Sequence, residues 1–582
     1  MKLIWKTTIQ YKKLLLINFI SVFGFALAEL GIPTLIAQMI DRGVNQKDPA
    51  TLRSDFMIIL IIAFLGVLGT SILAFTSTRI STNVTYDLRK KIFDHSMGFS
   101  HSEMEKFGIA SMITRTNNDA YQIMLFLNTI LRSAMIAPVM MIVCAILIIK
   151  TSLPLSSIIF VTIPIIIFGV IYFAKVTAPI SEKQQKALDS INRILRENMS
   201  GIRVIRAFNK EKEEEARFQK ENAWYTSLST RLFKWMSCSE PVFFFLMNLA
   251  SVLIYYFASI MISNHTLQIG QLIALTEYLF HAMMSVLVFC MVFMMYPRAN
   301  VSAKRIQEVL DTKTSIQDQG EKYVKDVNEL TFSHVSFHYA GGEEKVLDDL
   351  SFTIKKGEKL AVIGSTGSGK STLVKLIPRF YEPTKGEILI NGINYEQYDL
   401  HSLRKQIAFM FQKPHIFKGT IRENISFGRS DASREEIEEA ATLAQARSFI
   451  LEKGDGFEEE IDEEGANLSG GQKQRLSIAR ALLKQASINI YDDSFSALDF
   501  KTDAMLRKAI EPLQKDSIFI IVAQRVGTIL DADHILVLNE GKQVGFGRHE
   551  ELLKTCPIYK EIVLSQISEE EVEKYVQKTA LS

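Results

Sequence analysis

Lys359-Leu360-Ala361-Val362-Ile363-Gly364-Ser365-Thr366-Gly367-Ser368-Gly369-Lys370-Ser371-Thr372 decides the fold of the C-terminal half of this 582-residue chain. An apolar run ends in the pattern GxxxxGK[ST] and opens into Thr372-Leu-Val-Lys-Leu-Ile377, a helix-competent segment. Strand, glycine-rich loop and helix in that order wrap a phosphate chain. Gly364, Gly367 and Gly369, with Ser365, Thr366 and Ser368 between them, let backbone N–H groups face the phosphates at a helix N-terminus. Lys370 supplies a positive charge to the β and γ oxygens, and the Ser371 hydroxyl reaches Mg²⁺.

Further along, Ile488-Asn-Ile-Tyr-Asp492 is a second buried-strand pattern, interrupted by Asn489 and ending in a carboxylate. A phosphate-loop ATPase places the acid that orients magnesium, here Asp492, in this position. Ahead of that strand stands Leu468-Ser469-Gly470-Gly471-Gln472. These patterns predict an α/β nucleotide-binding domain over residues 325–582, preceded by a polar linker over 311–324.

Hydropathy accounts for residues 1–310. Thr151–Ala174 is 24 residues without a charge, and Pro241–Thr276 is 36. About 20 apolar residues cross the hydrocarbon core as a helix. Similar runs at Leu14–Ala37, Phe56–Phe75, about Ile123–Ile149 and Leu272–Met295 bring the number of spans to six, with a turn near Asn264. The N-terminal run is too long for a cleavable signal peptide and lacks a small-residue cleavage site. Lys2, Lys6, Lys12 and Lys13 precede the first span, and many more basic residues lie in the connections Thr76–Gln122 and Lys175–Glu240. Only Arg42, Lys47, Arg53 and Lys150 fall in the remaining loops. The positive-inside rule therefore predicts a cytoplasmic N-terminus and cytoplasmic C-terminal half, in a multi-pass protein of the cell membrane. The two long connections read as helical extensions of the spans.

Charge follows the same division. The chain as a whole carries +2, but residues 1–320 hold 32 basic and 22 acidic side chains, and residues 321–582 hold 34 and 42. An acidic C-terminal half does not indicate a nucleic-acid binder. Hydrophobic residues make up 48% of the chain, which excludes a disordered protein. Cys144, Cys238, Cys290 and Cys556 form no CxxC pair and no disulfide framework, so they are read as thiols of a reducing compartment.

On these motifs the chain resembles the ATP-binding cassette transporters, specifically exporters with six spans fused ahead of one nucleotide-binding domain. The resemblance covers essentially the whole chain and implies ATP and Mg²⁺ as ligands. Leu468–Gln472 is similar to the family's signature sequence. Tyr339 resembles the aromatic residue that stacks on adenine, and Gln412 the glutamine that links magnesium to the membrane part. Ser496-Ala-Leu-Asp499 resembles the D-loop. Glu463 resembles, more loosely, the acid of the loop that touches the coupling helices, because Asp462 and Glu464 depart from the usual pattern. Coupling helices are implied near Ser102–Asn117 and Ser200–Lys210.

Two departures carry more information. After Asp492 the family has Glu, the general base that polarises the attacking water; here it is Asp493, one methylene shorter. The family has His in the switch loop; Phe519-Ile-Ile-Val-Ala-Gln524 puts Gln524 there. Gln can hydrogen-bond a γ-phosphate but can neither shuttle a proton nor become cationic. Losing such a group costs about 10²–10⁴ in rate. Family nucleotide domains face head to tail, each ATP lying between one phosphate loop and the other subunit's signature. The resemblance therefore implies a second half-transporter that supplies Glu and His and hydrolyses ATP against Ser469, Gly470, Gly471 and Gln472 of this chain, as in bacterial heterodimeric multidrug exporters with one degenerate site. A homodimeric exporter or lipid flippase with two slow sites is the alternative.

Within the spans, Glu277 and His281 stand four apart. Ionisable groups in the bilayer are costly and by default functional, here toward a hydrophobic or cationic small molecule; pairing for structure is the other reading. Glu29, Asn128 and Arg132 are similar candidates. Phe243-Phe244-Phe245 and the methionine-rich Met283–Met295 can line an adaptable apolar cavity, or simply pack.

Overall fold

The computed structural model describes residues 1–339, 341–342, 344–495 and 498–566. They form two compact units: Met1–Met97 with Gly108–Thr312, and Gly98–Phe107 with Lys313–Ser582.

Among the described residues of the first unit, six helices are long and apolar enough to cross a membrane: Lys2–Val44, Pro49–Met97, Ile109–Thr151, Leu153–Ala207, Glu211–Ser263 and Ile269–Asp311. The longest has 55 residues, about 80 Å at 1.5 Å per residue, against a hydrocarbon core of about 30 Å. The third and fourth helices are separated only by Ser152, whose backbone is extended. The fifth ends at Ser263, and the chain turns at Asn264–His265. Apolar side chains such as Phe19, Phe64 and Phe168 point outward, as lipid-facing helices require.

Small residues set the approach of the first two helices. A Cβ on Gly66 would stand 2.2 Å from Ala28 Cβ, and one on Gly69 would stand 3.1 Å from Gly24 Cα. Without a hydrophobic drive between helices in lipid, such close van der Waals contact does the packing. Polar rungs fix register: Asn18 Nδ2 donates to Thr76 Oγ1 at 3.0 Å, and the Thr34 and Tyr278 hydroxyls lie 2.5 Å apart. Asp41 accepts from the backbone N–H of Gly270 (2.7 Å) and Gln271 (3.1 Å), capping the sixth helix.

The second unit is built on a mixed sheet. Its strands are β1 Glu329–Phe337, β2 Leu347–Lys355, β3 Lys359–Gly364, β4 Lys385–Ile390, β5 Ile393–Asn394, β6 Ile407–Met410, β7 Gly419–Thr420, β8 Glu460–Ile461, β9 Ile488–Asp492, β10 Ile518–Val522, β11 His534–Asn539 and β12 Lys542–Gly547. Ten of them run in the order β5-β4-β1-β2-β12-β11-β3-β10-β9-β6, and β7 pairs with β8. From β11 to β6 the pairing is parallel. Strands buried on both faces read as continuous apolar runs, and β3 and β10 do so. Leu360 and Val362 enter one core, while Ala361 and Ile363 enter the other, as period-two alternation dictates. Lys359 anchors the start of β3, its buried Nζ 2.8 Å from Asp531 Oδ1.

Candidate functional site

The parallel strands end together. Val522 of β10 stands opposite both Val362 of β3 and Asp492 of β9. The residues that follow, Gly364–Lys370, Asp493 and Gln524, therefore share one crevice beyond the carboxyl ends of the strands, where open α/β sheets bind ligands.

In the loop after β3, Gly367 (φ +84°) and Gly369 (φ +94°) are left-handed, and a Cβ on Gly369 would stand 2.8 Å from the Val346 carbonyl. Only glycine meets both demands. Lys370 heads the helix Lys370–Leu376, and its ammonium donates to the carbonyls of Gly364 (2.8 Å) and Ser365 (2.7 Å). Burial lowers the Lys370 pKa, opposed by Asp493 and Asp492. The Ser371 hydroxyl donates to Asp492 Oδ1 at 2.8 Å, and burial raises the Asp492 pKa despite that bond. The buried Ser368 hydroxyl has no hydrogen-bond partner among the described residues. A left-handed glycine cradle, a lysine, a hydroxyl and a buried carboxylate form the donor set that fits a magnesium-bound polyphosphate.

Asp493 differs from a free base. It sits at φ +48°, outside helical and extended backbone. Its Oδ2 accepts from Gln524 Nε2 at 2.8 Å and from Gln412 Nε2 at 3.2 Å. Two amides singled out in the sequence, Gln524 and Gln412, thus converge on one oxygen of Asp493.

Tyr339 is half-buried, edge-on to Phe337 (5.0 Å) and Tyr381 (5.2 Å), with its hydroxyl 2.9 Å from Thr372 Oγ1. Tyr381 was not apparent from sequence. Its ring also lies near Phe337 (5.6 Å) and His101 (5.7 Å), and its hydroxyl donates to Glu105 at 3.1 Å. Both belong to the short helix His101–Phe107, so the predicted helical stretch 102–117 is divided: Gly108 interrupts it and a new helix starts at Ile109. The other segment, 200–210, ends one long helix at Ala207 and begins the next at Glu211, with Phe208 and Val204 exposed.

The signature segment is a helix start. Ser469 caps the helix Gly470–Leu483, its hydroxyl accepting from Gln472 N–H (3.3 Å) while Gln472 Oε1 accepts from Ser469 N–H (2.9 Å). Serine and glutamine three apart are a capping box, and Gly470 and Gly471 leave the first turn bare. Two more features escaped sequence reading. Gln474, buried on that helix, donates to the Ser494 carbonyl at 2.6 Å. An apolar groove of about 420 Å³ is lined by Phe380, Phe409, Phe411, Phe417, Phe427 and Arg480. Burial pushes the Arg480 pKa down to about 10. Glu463 lies exposed in a single 3₁₀ turn. Ser496 and Ala497 of the D-loop lie outside the described residues, whereas Asp499 caps the helix Phe500–Gln514.

In the membrane unit, mutual pairing is one of the two readings the sequence leaves open for Glu277 and His281. His281 does not pair with Glu277; its Nε2 lies 3.4 Å from Glu29 Oε2 on the first helix. His281 turns toward the helix packing while Glu277, four residues earlier, is exposed. Phe243, Phe244, Met283 and Met284 do share a cavity, of about 190 Å³, with Glu240 at its wall; Phe245 points away, and the Met294 side chain lies outside the described residues. Asn128 Nδ2 donates weakly to Ser81 and Thr78 hydroxyls, both at 3.4 Å, and Arg132 lies in a π-helical turn.

Family models agree with this anatomy. Residues 15–287 match the ABC transporter transmembrane region, and residues 347–496 match the family described as ABC transporter. An uncharacterized ABC transporter ATP-binding protein of Mycobacterium tuberculosis is 33% identical over 562 residues, 96% of each chain. An ATP-dependent lipid A-core flippase of Haemophilus ducreyi is 31% identical over 563 residues, 96% of this chain and 97% of its own. The structure of a bacterial Atm1-family ABC exporter with ATP bound superimposes with a TM-score of 0.77 at 24% identity, covering 96% of this chain and 99% of that one, a likeness of fold. A multi-pass transmembrane region joined in one polypeptide to an ATP-binding domain makes this chain a half-transporter of the ABC transporter family.

Proposed function

We propose that the chain is one half of an ATP-driven exporter whose own phosphate-loop site holds ATP and cleaves it poorly. The observation that carries this reading is Asp493 Oδ2, which accepts from both Gln524 and Gln412. A general base must reach and polarise a water before its pKa matters. Asp493 is short, and the oxygen with the bonds is already committed to two amides, neither of which can take up a proton. Bound magnesium would neutralise phosphate charge between Ser371, Gln412 and Asp492. Lys370 and the loop N–H groups of Gly364–Thr372 orient the phosphates, and Tyr339 packs on the adenine.

The signature helix of this chain keeps its capping box, so Ser469, Gly470, Gly471 and Gln472 are offered to a partner's ATP. A helix N-terminus is a ready anion site. The partner in this reading is a second half-transporter with Glu and His at the positions of Asp493 and Gln524. In this reading closure of the nucleotide domains drives the spans from inward- to outward-facing. The N-terminus and ATP-binding domain are cytoplasmic, on the basis of the lysines before the first span.

The cargo in this reading is a hydrophobic or cationic amphiphile moved out of the cytoplasm or inner leaflet. A lipid flippase is a second reading, favoured by the similarity to the lipid A-core flippase and by a wholly apolar cavity of about 520 Å³ lined by Met141, Ile167, Val170, Ile171, Phe289 and Cys290. Transport into everted vesicles, with a panel of cationic amphiphiles against fluorescent phospholipids, separates the two. Full turnover by the chain alone would remove the degenerate-site reading.

A further inference from the structure

The loop bearing Gln524 is held from outside the site. Ala523 N–H donates to the Val362 carbonyl at 3.1 Å, tying the start of the loop to β3. The loop ends in a 3₁₀ turn, Val526–Thr528, and the first N–H of such a turn has no partner within it. Gln566, just past the helix Pro557–Leu564, fills that position. Its Oε1 accepts from Val526 N–H at 2.8 Å, and its Nε2 donates to the Gln524 carbonyl at 2.8 Å.

The two backbone groups flank Arg525, so one primary amide pairs with them as a neighbouring strand would. Gln carries donor and acceptor together at this reach; Asn has both but is one methylene shorter, and Glu has acceptors only. The helix that presents Gln566 is well anchored. Tyr559 and Val563 are buried in the core with Leu552 of the preceding helix His549–Thr555 and with the cap residue Cys556, and Pro557 starts the helix at the position that needs no N–H. A rigid element thus grips the backbone of the residue whose side chain donates to Asp493.

We infer that Gln566 is a positioning residue for the switch loop, and that through it the helix Pro557–Leu564 sets how strongly this site prefers ATP over ADP. The inference rests on the reading that the Gln524 amide faces the γ-phosphate. With the latch closed, the Gln524 backbone is fixed and its amide stays in the crevice. With the latch open, Gln524 swings freely, and a contact specific to the third phosphate is lost while contacts to the first two remain.

The test uses the full-length chain in nanodiscs, with dissociation of fluorescent N-methylanthraniloyl ATP and ADP followed by chase. Gln566→Ala should speed ATP release about three- to tenfold, the range for one or two net hydrogen bonds, and leave ADP release within about twofold. Gln566→Glu, which keeps the acceptor, should fall between. Hydrogen exchange at the Val526 amide should quicken in Gln566→Ala with or without nucleotide. An equal change for ATP and ADP, no change for either, or lost Val526 protection with an unchanged ATP preference would each overturn the role. Gln524→Ala identifies the cause: if it too leaves the preference unchanged, the γ-phosphate reading has failed; if it abolishes the preference, only the latch has.

Discussion

Gln524 Nε2 stands 2.8 Å from Asp493 Oδ2. The pair links the two positions at which this chain departs from the transporters it resembles, and the departures fit each other. The Gln524 amide donates to the carboxylate without a proton to exchange, as a histidine in its place would have. On this hydrogen-bonded pair rests the proposal that the site cleaves ATP poorly.

Restoring both residues should restore hydrolysis. Asp493→Glu with Gln524→His in the same chain should raise steady-state phosphate release by about 10²-fold or more, the scale of general acid–base assistance. The product of the two single gains should fall short of the gain of the double variant, because the residues act as a unit. Phosphate release from the purified variants checks this directly.

Asp492→Asn exchanges a buried carboxylate for an isosteric amide. Removing the desolvation cost of that charge should raise the apparent melting midpoint of the nucleotide-free chain, while the midpoint gain from magnesium and ATP disappears. Thermal melts with and without magnesium-ATP show both effects; a lowered midpoint without nucleotide would contradict the burial argument.

Ser469→Ala removes one arm of the capping box. The signature helix should lose about 1 kcal/mol, seen as a lower apparent melting midpoint, while ATP affinity at this chain's own phosphate loop stays unchanged. Nucleotide titration of the variant chain measures the second half of that statement.

His549 supplies a pH dependence. Burial holds its pKa below the ordinary 6.5, opposed by Glu550, and its Nδ1 lies 2.7 Å from the Tyr559 hydroxyl. A depressed histidine contributes stability that is full above its unfolded pKa and is lost as pH falls through the folded one. Acidification from about pH 7.5 to about pH 5 should therefore lower the hydrogen-exchange protection factors across residues 549–564, each rate being referred to the intrinsic rate at its own pH. His549→Gln, which cannot charge, should flatten that response.

Glu277→Gln should change transport of cationic amphiphiles more than it changes ATPase activity, because the exposed carboxylate lies within a span and is not the partner of His281. Unaltered transport of several cations would remove its role.

The phosphate loop, the Asp492 strand and the six spans were legible because each is written in adjacent residues: a glycine spacing, an apolar run, a length. Asp493 and Gln524 were legible as substitutions but not as a bonded pair, since their meeting depends on Val522 standing opposite Asp492 across two strands. His281 shows the limit of local periodicity. Spacing of four offered Glu277, but packing of the first helix on the sixth brings Glu29 instead. Tyr381, the aromatic groove and Gln566 had no local signal, because their partners lie far away in sequence.

The most direct test is the fate of ATP bound to this chain alone. The purified chain, loaded with γ-labelled ATP and magnesium in liposomes, is acid-quenched over a time in which a full transporter turns over many times. The account predicts that the bound nucleotide is recovered as ATP, with phosphate release lower by about 10²–10⁴-fold. Recovery as ADP with phosphate at a full transporter's rate would contradict it.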